Sequence, residues 1–206
     1  MDESVRLALA KWPNVPYCYG WLALDARGAF RMRDEAAQAA RVPGDVIRHP
    51  TLLGFIFRNY ACDDRGAWYF QNGPQRVYVA LEATPFIAHT DPALEFVTHD
   101  GEAMGKIAKV FITDEGRLLL QSGDKLAMLD DRDLAECLAQ MRLDGDLCDD
   151  TALMSWLGSG SSSPVPSQAL TLMLRQGPVD IERISSNQLE QRFGFIAQPN
   201  RPDNTS

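Results

Sequence analysis

The sequence predicts an α+β fold, an antiparallel sheet of repeated β-hairpins packed against a few helices, with a small C-terminal ββα segment. Three observations carry this reading. The octapeptide Asp25-Ala26-Arg27-Gly28-Ala29-Phe30-Arg31-Met32 returns as Asp63-Asp64-Arg65-Gly66-Ala67-Trp68-Tyr69-Phe70. A looser copy follows at Thr113-Asp114-Glu115-Gly116-Arg117-Leu118-Leu119-Leu120. Apolar or aromatic runs flank each copy; Gly supplies the positive φ a hairpin loop needs, and Asp can bond the amides after it. Either a duplicated unit or one turn solution used repeatedly accounts for the repeat.

The elements follow in chain order. Val5, Leu9 and Trp12 sit at helical spacing, which predicts a short helix ending before Pro13. Trp12 to Trp21 is an aromatic connector whose two prolines forbid a continuous helix. After an Ala-rich stretch at 34–41, Pro50 opens a second helix, with Leu53, Ile56, Phe57 and Tyr60 on one stripe. Beyond the second hairpin, Asn72-Gly73-Pro74 turns the chain into a β region. There Val77, Val79 and Leu81 alternate with Arg76, Tyr78, Ala80 and Glu82. Strands are expected at 85–90, 94–99, 106–112, 116–122 and 125–129. Asp130 or Asp131 caps a helix with Leu134, Cys137, Leu138 and Met141 on one face, and a shorter helix spans 151–157. Two strands, at 170–174 and 179–184, and a helix stopped by Gly194 complete the chain. The expected organisation is a body at 1–157 with an internal repeat and a Gly/Ser/Pro linker at 158–168. A ββα segment at 169–198 docks on the body, and a flexible tail occupies 199–206.

Composition narrows the function classes. The 206 residues are 45% hydrophobic and 23% charged, ordinary globular values. A net charge of -8 disfavours nucleic acid or an anionic membrane as partner. The acidic start, the lack of a long apolar window and four scattered cysteines predict a cytoplasmic protein with reduced thiols.

No spacing supplies a nucleotide loop or a nucleophile elbow. Asp144, Asp146, Asp149 and Asp150 fail the calcium-loop pattern, since the sixth position is Asp149 and the twelfth Ser155; helix capping explains them better. His89 and His99 can face one another across a hairpin at Asp91-Pro92, but no third ligand falls at metal spacing, so neither a metal nor a cofactor is expected. Cys18 and Cys62 read as buried thiols rather than nucleophiles. The candidate ligand-binding set is His49, Arg58, Asn59, Trp68, Tyr69, Asn72, Gln75 and Arg76, around the second helix and second hairpin. Arg58 and Arg76 suit an anionic ligand or a partner's carboxylate. Internal pairing with Asp63, Asp64 or Glu82 is the competing structural role.

His49-Pro50 through Leu53, Asp64 through Phe70, Gln71-Asn72-Gly73-Pro74-Gln75-Arg76-Val77 and Ala83-Thr84-Pro85-Phe86 carry a resemblance. Over roughly residues 15–145 the chain resembles uncharacterised proteobacterial proteins known only as domains of unknown function. That resemblance implies small repeated α+β motifs and a signalling or regulatory role, with no catalytic residues to carry over.

The expected function is therefore a non-enzymatic regulatory module binding a small anionic ligand or a protein. The alternatives are a hydrolase or isomerase using His89 or His99 with a nearby carboxylate, and a homo-oligomeric structural protein, a homodimer for example, burying the aromatic connector.

Overall fold

A computed structural model describes residues 1–158 and 168–201. Most of the linker expected at 158–168 and of the tail expected at 199–206 lies outside the described residues.

One hydrogen-bond pattern recurs in the hairpin loops. Asp25 Oδ1 accepts from Arg27 N at 3.0 Å and Ala29 N at 2.8 Å. Asp63 Oδ1 accepts from Arg65 N and Ala67 N, both at 3.0 Å. In the third copy Thr113 Oγ1 takes this place, at 3.3 Å from Glu115 N and 3.0 Å from Arg117 N. Asp114 is thereby released to accept from Ser186 N at 2.8 Å and Ser185 Oγ at 2.9 Å. Gly28, Gly66 and Gly116 close these loops at φ of 81°, 88° and 77°. A fourth loop, Thr98 to Glu102 around Gly101, shares the backbone pattern but little sequence.

The chain forms two compact units, Met1–Pro85 with Glu190–Ser206, and Phe86–Leu189. The first unit runs α1 (Glu3–Lys11), β1 (Cys18–Leu24), β2 (Phe30–Met32), α2 (Glu35–Ala40) and β3 (Asp45–Val46), then α3 (Pro50–Arg58), β4 (Tyr60–Cys62), β5 (Trp68–Asn72) and β6 (Gln75–Leu81). Among the described residues its sheet has six strands, in the order β3-β2-β1-β6-β5-β4. Neighbours are antiparallel except β1 and β6, which run parallel. On α3, Ile56 is buried, Phe55 meets Phe70 edge-on at 5.4 Å, and Phe57 lies 6.0 Å from Phe30. Because strand side chains alternate, Trp68 and Phe70 share the α3 face while Tyr69 points to the other.

The second unit begins with β7 (Phe86–Asp91), β8 (Glu95–Thr98), β9 (Lys109–Thr113), β10 (Leu118–Ser122) and β11 (Lys125–Leu129). α4 (Leu134–Leu138), β12 (Met141–Leu143), β13 (Asp146–Leu147), α5 (Asp150–Gly158), β14 (Leu170–Leu174) and β15 (Gly177–Ile184) follow, and α6 (Leu189–Phe193) leads back to the first unit. Nine described strands pair as β13-β12-β14-β15-β9-β10-β11-β7-β8. β7 with β11 and β9 with β15 are parallel. The α+β class stands, and parallel joins between hairpins are what alternation alone does not reveal.

The helix expected through Met141 is shorter. It stops at Leu138, and Met141 starts β12, paired with Leu172 of β14. A strand 31 residues further on overrides the helical spacing.

Asp130 is fully buried and caps the turn before α4, accepting from Arg132 N at 2.9 Å and Arg132 Nε at 3.0 Å. Burial pushes its carboxyl up, but the bonds from Arg132 outweigh burial and hold it at about 2, below the ordinary 3.8. A depressed carboxylate stabilises the fold fully above the unfolded value and loses that contribution as pH falls through the folded one. Urea unfolding between pH 5 and 2 should therefore show a loss of about 2 kcal/mol assignable to Asp130. The D130N variant should lack that limb.

Candidate functional site

The face of the first unit's sheet opposite α3 carries a tyrosine cluster around the second hairpin. Tyr69 and Tyr78 are partners across β5 and β6, so they share a face, and Arg76 lies two residues before Tyr78 on the same side. Tyr78, 1% exposed, is the centre. Tyr19 stacks on it at 4.6 Å with ring planes 4° apart; Tyr17 and Tyr69 approach it at 5.8 Å. The parallel β1–β6 pairing places Tyr17 and Tyr19 there.

The polar groups are layered. The Tyr78 hydroxyl donates to Asp63 Oδ2 at 2.9 Å, and Arg65 Nη2 donates to the same oxygen at 2.9 Å. Burial pushes the Asp63 carboxyl up, yet bonds from Arg65, Ala67 N and Tyr78 hold it below the ordinary value. Arg65 and Asp63 thus neutralise one another. Arg76 differs. Its guanidinium lies 4.5 Å over the Tyr69 ring and 5.4 Å over Tyr17. Among the described residues no carboxylate pairs with it. Burial works against its charge, but the Tyr78 hydroxyl and the phenols of Tyr69 and Tyr17 raise its pKa above the ordinary value. It is a permanent cation on an aromatic floor. The connector beside it is pinned by Gln75 Nε2 donating to Pro16 O at 3.0 Å. Along that connector and β1, Trp12, Tyr17 and Trp21 are 51%, 44% and 40% exposed.

Of the predicted set, Tyr69, Gln75 and Arg76 come together here. Trp68 lies on the opposite face, 4.8 Å from Tyr60. Asn72 is exposed at the β5–β6 turn. Arg58 and Asn59 gather around the chain start: Arg58 Nε pairs with Asp2 at 3.1 Å, and buried Asn59 accepts from Asp2 N and donates to Phe55 O. His49 caps α3, its Nδ1 3.4 Å from Leu52 N. The sequence reading missed Tyr17, Tyr19, Tyr78, Asp63 and Arg65. Alternation along β6 puts Tyr78 on Arg76's face, whereas Tyr17 and Tyr19 depend on the parallel pairing.

The histidines have separate surroundings in the second unit. His89 Nδ1 lies 3.4 Å from Asp130 Oδ2 and 3.7 Å from Asp133 Oδ2. His99 Nδ1 accepts from Ile87 N at 3.2 Å. Contrary to the burial expected of both, Cys18 is half-buried and Cys62 exposed. Partial desolvation still raises both thiols, and burial pushes Cys137 up to about 12, away from nucleophilic character. Among the described residues no three His, Cys, Asp or Glu side chains gather for a metal, and no helix is long and apolar enough to cross a membrane.

Residues 1–200 match a family model described as "Protein of unknown function (DUF2946)". The chain matches no curated protein. Among solved structures it is similar to a DUF1285 family protein from Silicibacter pomeroyi DSS-3, at 11% identity and a TM-score of 0.46, covering 88% of this chain and 89% of that one.

Proposed function

Taking as premise that the chain belongs to the family of proteins of unknown function (DUF2946), we propose that it is a non-enzymatic regulatory module whose Arg76 receives a carboxylate from a partner protein. The observation that carries this reading is an arginine stacked on Tyr69 and Tyr17 with no carboxylate partner among the described residues. Aromatic walls remove water from the guanidinium, and the Tyr78 hydroxyl engages only part of its donor set, which leaves N–H groups for a charge-assisted bond to an incoming acid. Exposed Trp12, Tyr17 and Trp21 add the residue types that dominate protein interfaces. With a net charge of -8, a polyacidic partner is repelled at range. One carboxylate between apolar or aromatic side chains fits better.

A cytoplasmic setting and a role in bacterial signalling belong to the same reading, supported by four cysteines without disulfides. The hydrolase or isomerase reading draws on His89 beside Asp130 and Asp133. It is less favoured because His99 is engaged with the backbone of Ile87 and the thiols are raised.

Selection of random peptides on the intact protein tests the proposal. Recovered peptides should contain an Asp or Glu beside an apolar residue and should bind the R76A variant at least about tenfold more weakly, the usual cost of truncating an anchor arginine. Peptides without an acid, or undiminished binding by R76A, would sink it.

A further inference from the structure

We propose a second, separate site in the first unit, a cleft of about 290 Å³ that binds a small organic carboxylate between Arg33 and Arg41. The cleft lies at the end of β1 and β6, and the segment following α2 closes it. Neither the tyrosine cluster nor Arg76 lines it.

Three arginines and two carboxylates line the cleft, and their partners decide which charges remain available. Arg31 is already used: its Nε pairs with Asp25 Oδ2 at 2.7 Å and its Nη1 donates to Gly44 O at 3.1 Å. Asp25 is used in turn, by Arg31 and by the amides of Arg27 and Ala29. Glu82 accepts from Ala26 N at 3.0 Å. Arg33 and Arg41 remain, and among the described residues neither makes an ion pair. The Nε of Arg33 is buried with no hydrogen-bond partner. A buried donor without an acceptor is unfavourable, and it leaves the charge of Arg33 unspent within the chain.

Arg41 adds an independent feature. It ends α2 in the left-handed conformation, φ 55° and ψ 36°, where helices ordinarily place Gly. A cationic side chain held in that conformation works against local backbone preference, and such residues cluster at ligand clamps. Val42, Pro43 and Leu81 supply apolar walls. A planar carboxylate matches the fork of a guanidinium, and the walls favour a ligand with an apolar body.

Titration of the intact protein with benzoate, hexanoate, benzamide and inorganic phosphate tests this, read by thermal shift and by chemical-shift changes at Arg33 and Arg41. The two carboxylates should bind saturably, with benzamide and phosphate at least tenfold weaker. R33A and R41G should each lose at least tenfold in benzoate affinity, whereas R6A, at an exposed arginine paired with Glu3, should not. R41G should also unfold at a higher temperature than the parent without ligand, since Gly relieves the left-handed residue; weaker binding in a more stable variant separates lost recognition from lost folding. The proposal is overturned if neither carboxylate binds, if phosphate or benzamide binds as tightly, or if R33A and R41G bind benzoate undiminished.

Discussion

The Gly66→Ala variant should lose about 3 kcal/mol or more of unfolding free energy, several times the loss from Gly116→Ala. Both glycines close equivalent loops, at φ of 88° and 77°, so both substitutions meet the same left-handed penalty of about 1 kcal/mol. Their surroundings differ. A Cβ on Gly66 would stand 2.1 Å from the carbonyl oxygen of Gly194, whereas nothing lies within 4 Å at Gly116. The obstacle is backbone, and it is fixed. Ile196 N donates to Gly66 O at 2.9 Å, and Ala67 bridges to Ile196 in parallel. The added methyl must therefore break that bridge and detach the C-terminal strap from the hairpin. Urea unfolding of the two variants measures the contrast. Equal losses would mean that the strap does not hold the second hairpin.

Asp63→Ala should cost about 3 kcal/mol and should alter the tyrosine signal in near-ultraviolet circular dichroism. The substitution removes an acceptor for two loop amides, for the Tyr78 hydroxyl and for Arg65. Tyr78 is buried, so its hydroxyl has no water to fall back on, and Arg65 keeps its charge without a counterion. Asp63→Asn retains an oxygen for the amides and should recover part of the loss. If Asp63→Ala unfolds like the parent, the layered network described at Tyr78 is not a structural support for the aromatic floor.

Much of this architecture was legible because local chemistry sets it. The Asp25 and Asp63 loops, Pro50 at the start of α3 and the alternation of β6 are decided within a few residues, and the structure keeps them. Long-range pairing set what was not legible. Cys18 aligned with Val77 brings Tyr17 and Tyr19 against Tyr78, and no local pattern announces a parallel neighbour. Arg58 illustrates the same limit. Local spacing is enough to place its helix, but its partner is Asp2, 56 residues away. Of the expected arginine pair, only Arg76 lacks a carboxylate partner among the described residues. The cleft at Arg33 and Arg41 was missed because Arg41 enters it only through a left-handed helix end, which an arginine does not advertise.

The central claim is that Arg76 meets a carboxylate of a partner, and a double-mutant cycle tests it most directly. Titration calorimetry would pair the parent and R76A proteins with a selected acidic peptide and with the same peptide carrying an amide in place of its acid. A coupling free energy of at least about 1 kcal/mol between the two changes is expected, as for groups in direct contact. Additive effects, with the amide peptide losing as much affinity for R76A as for the parent protein, would contradict it.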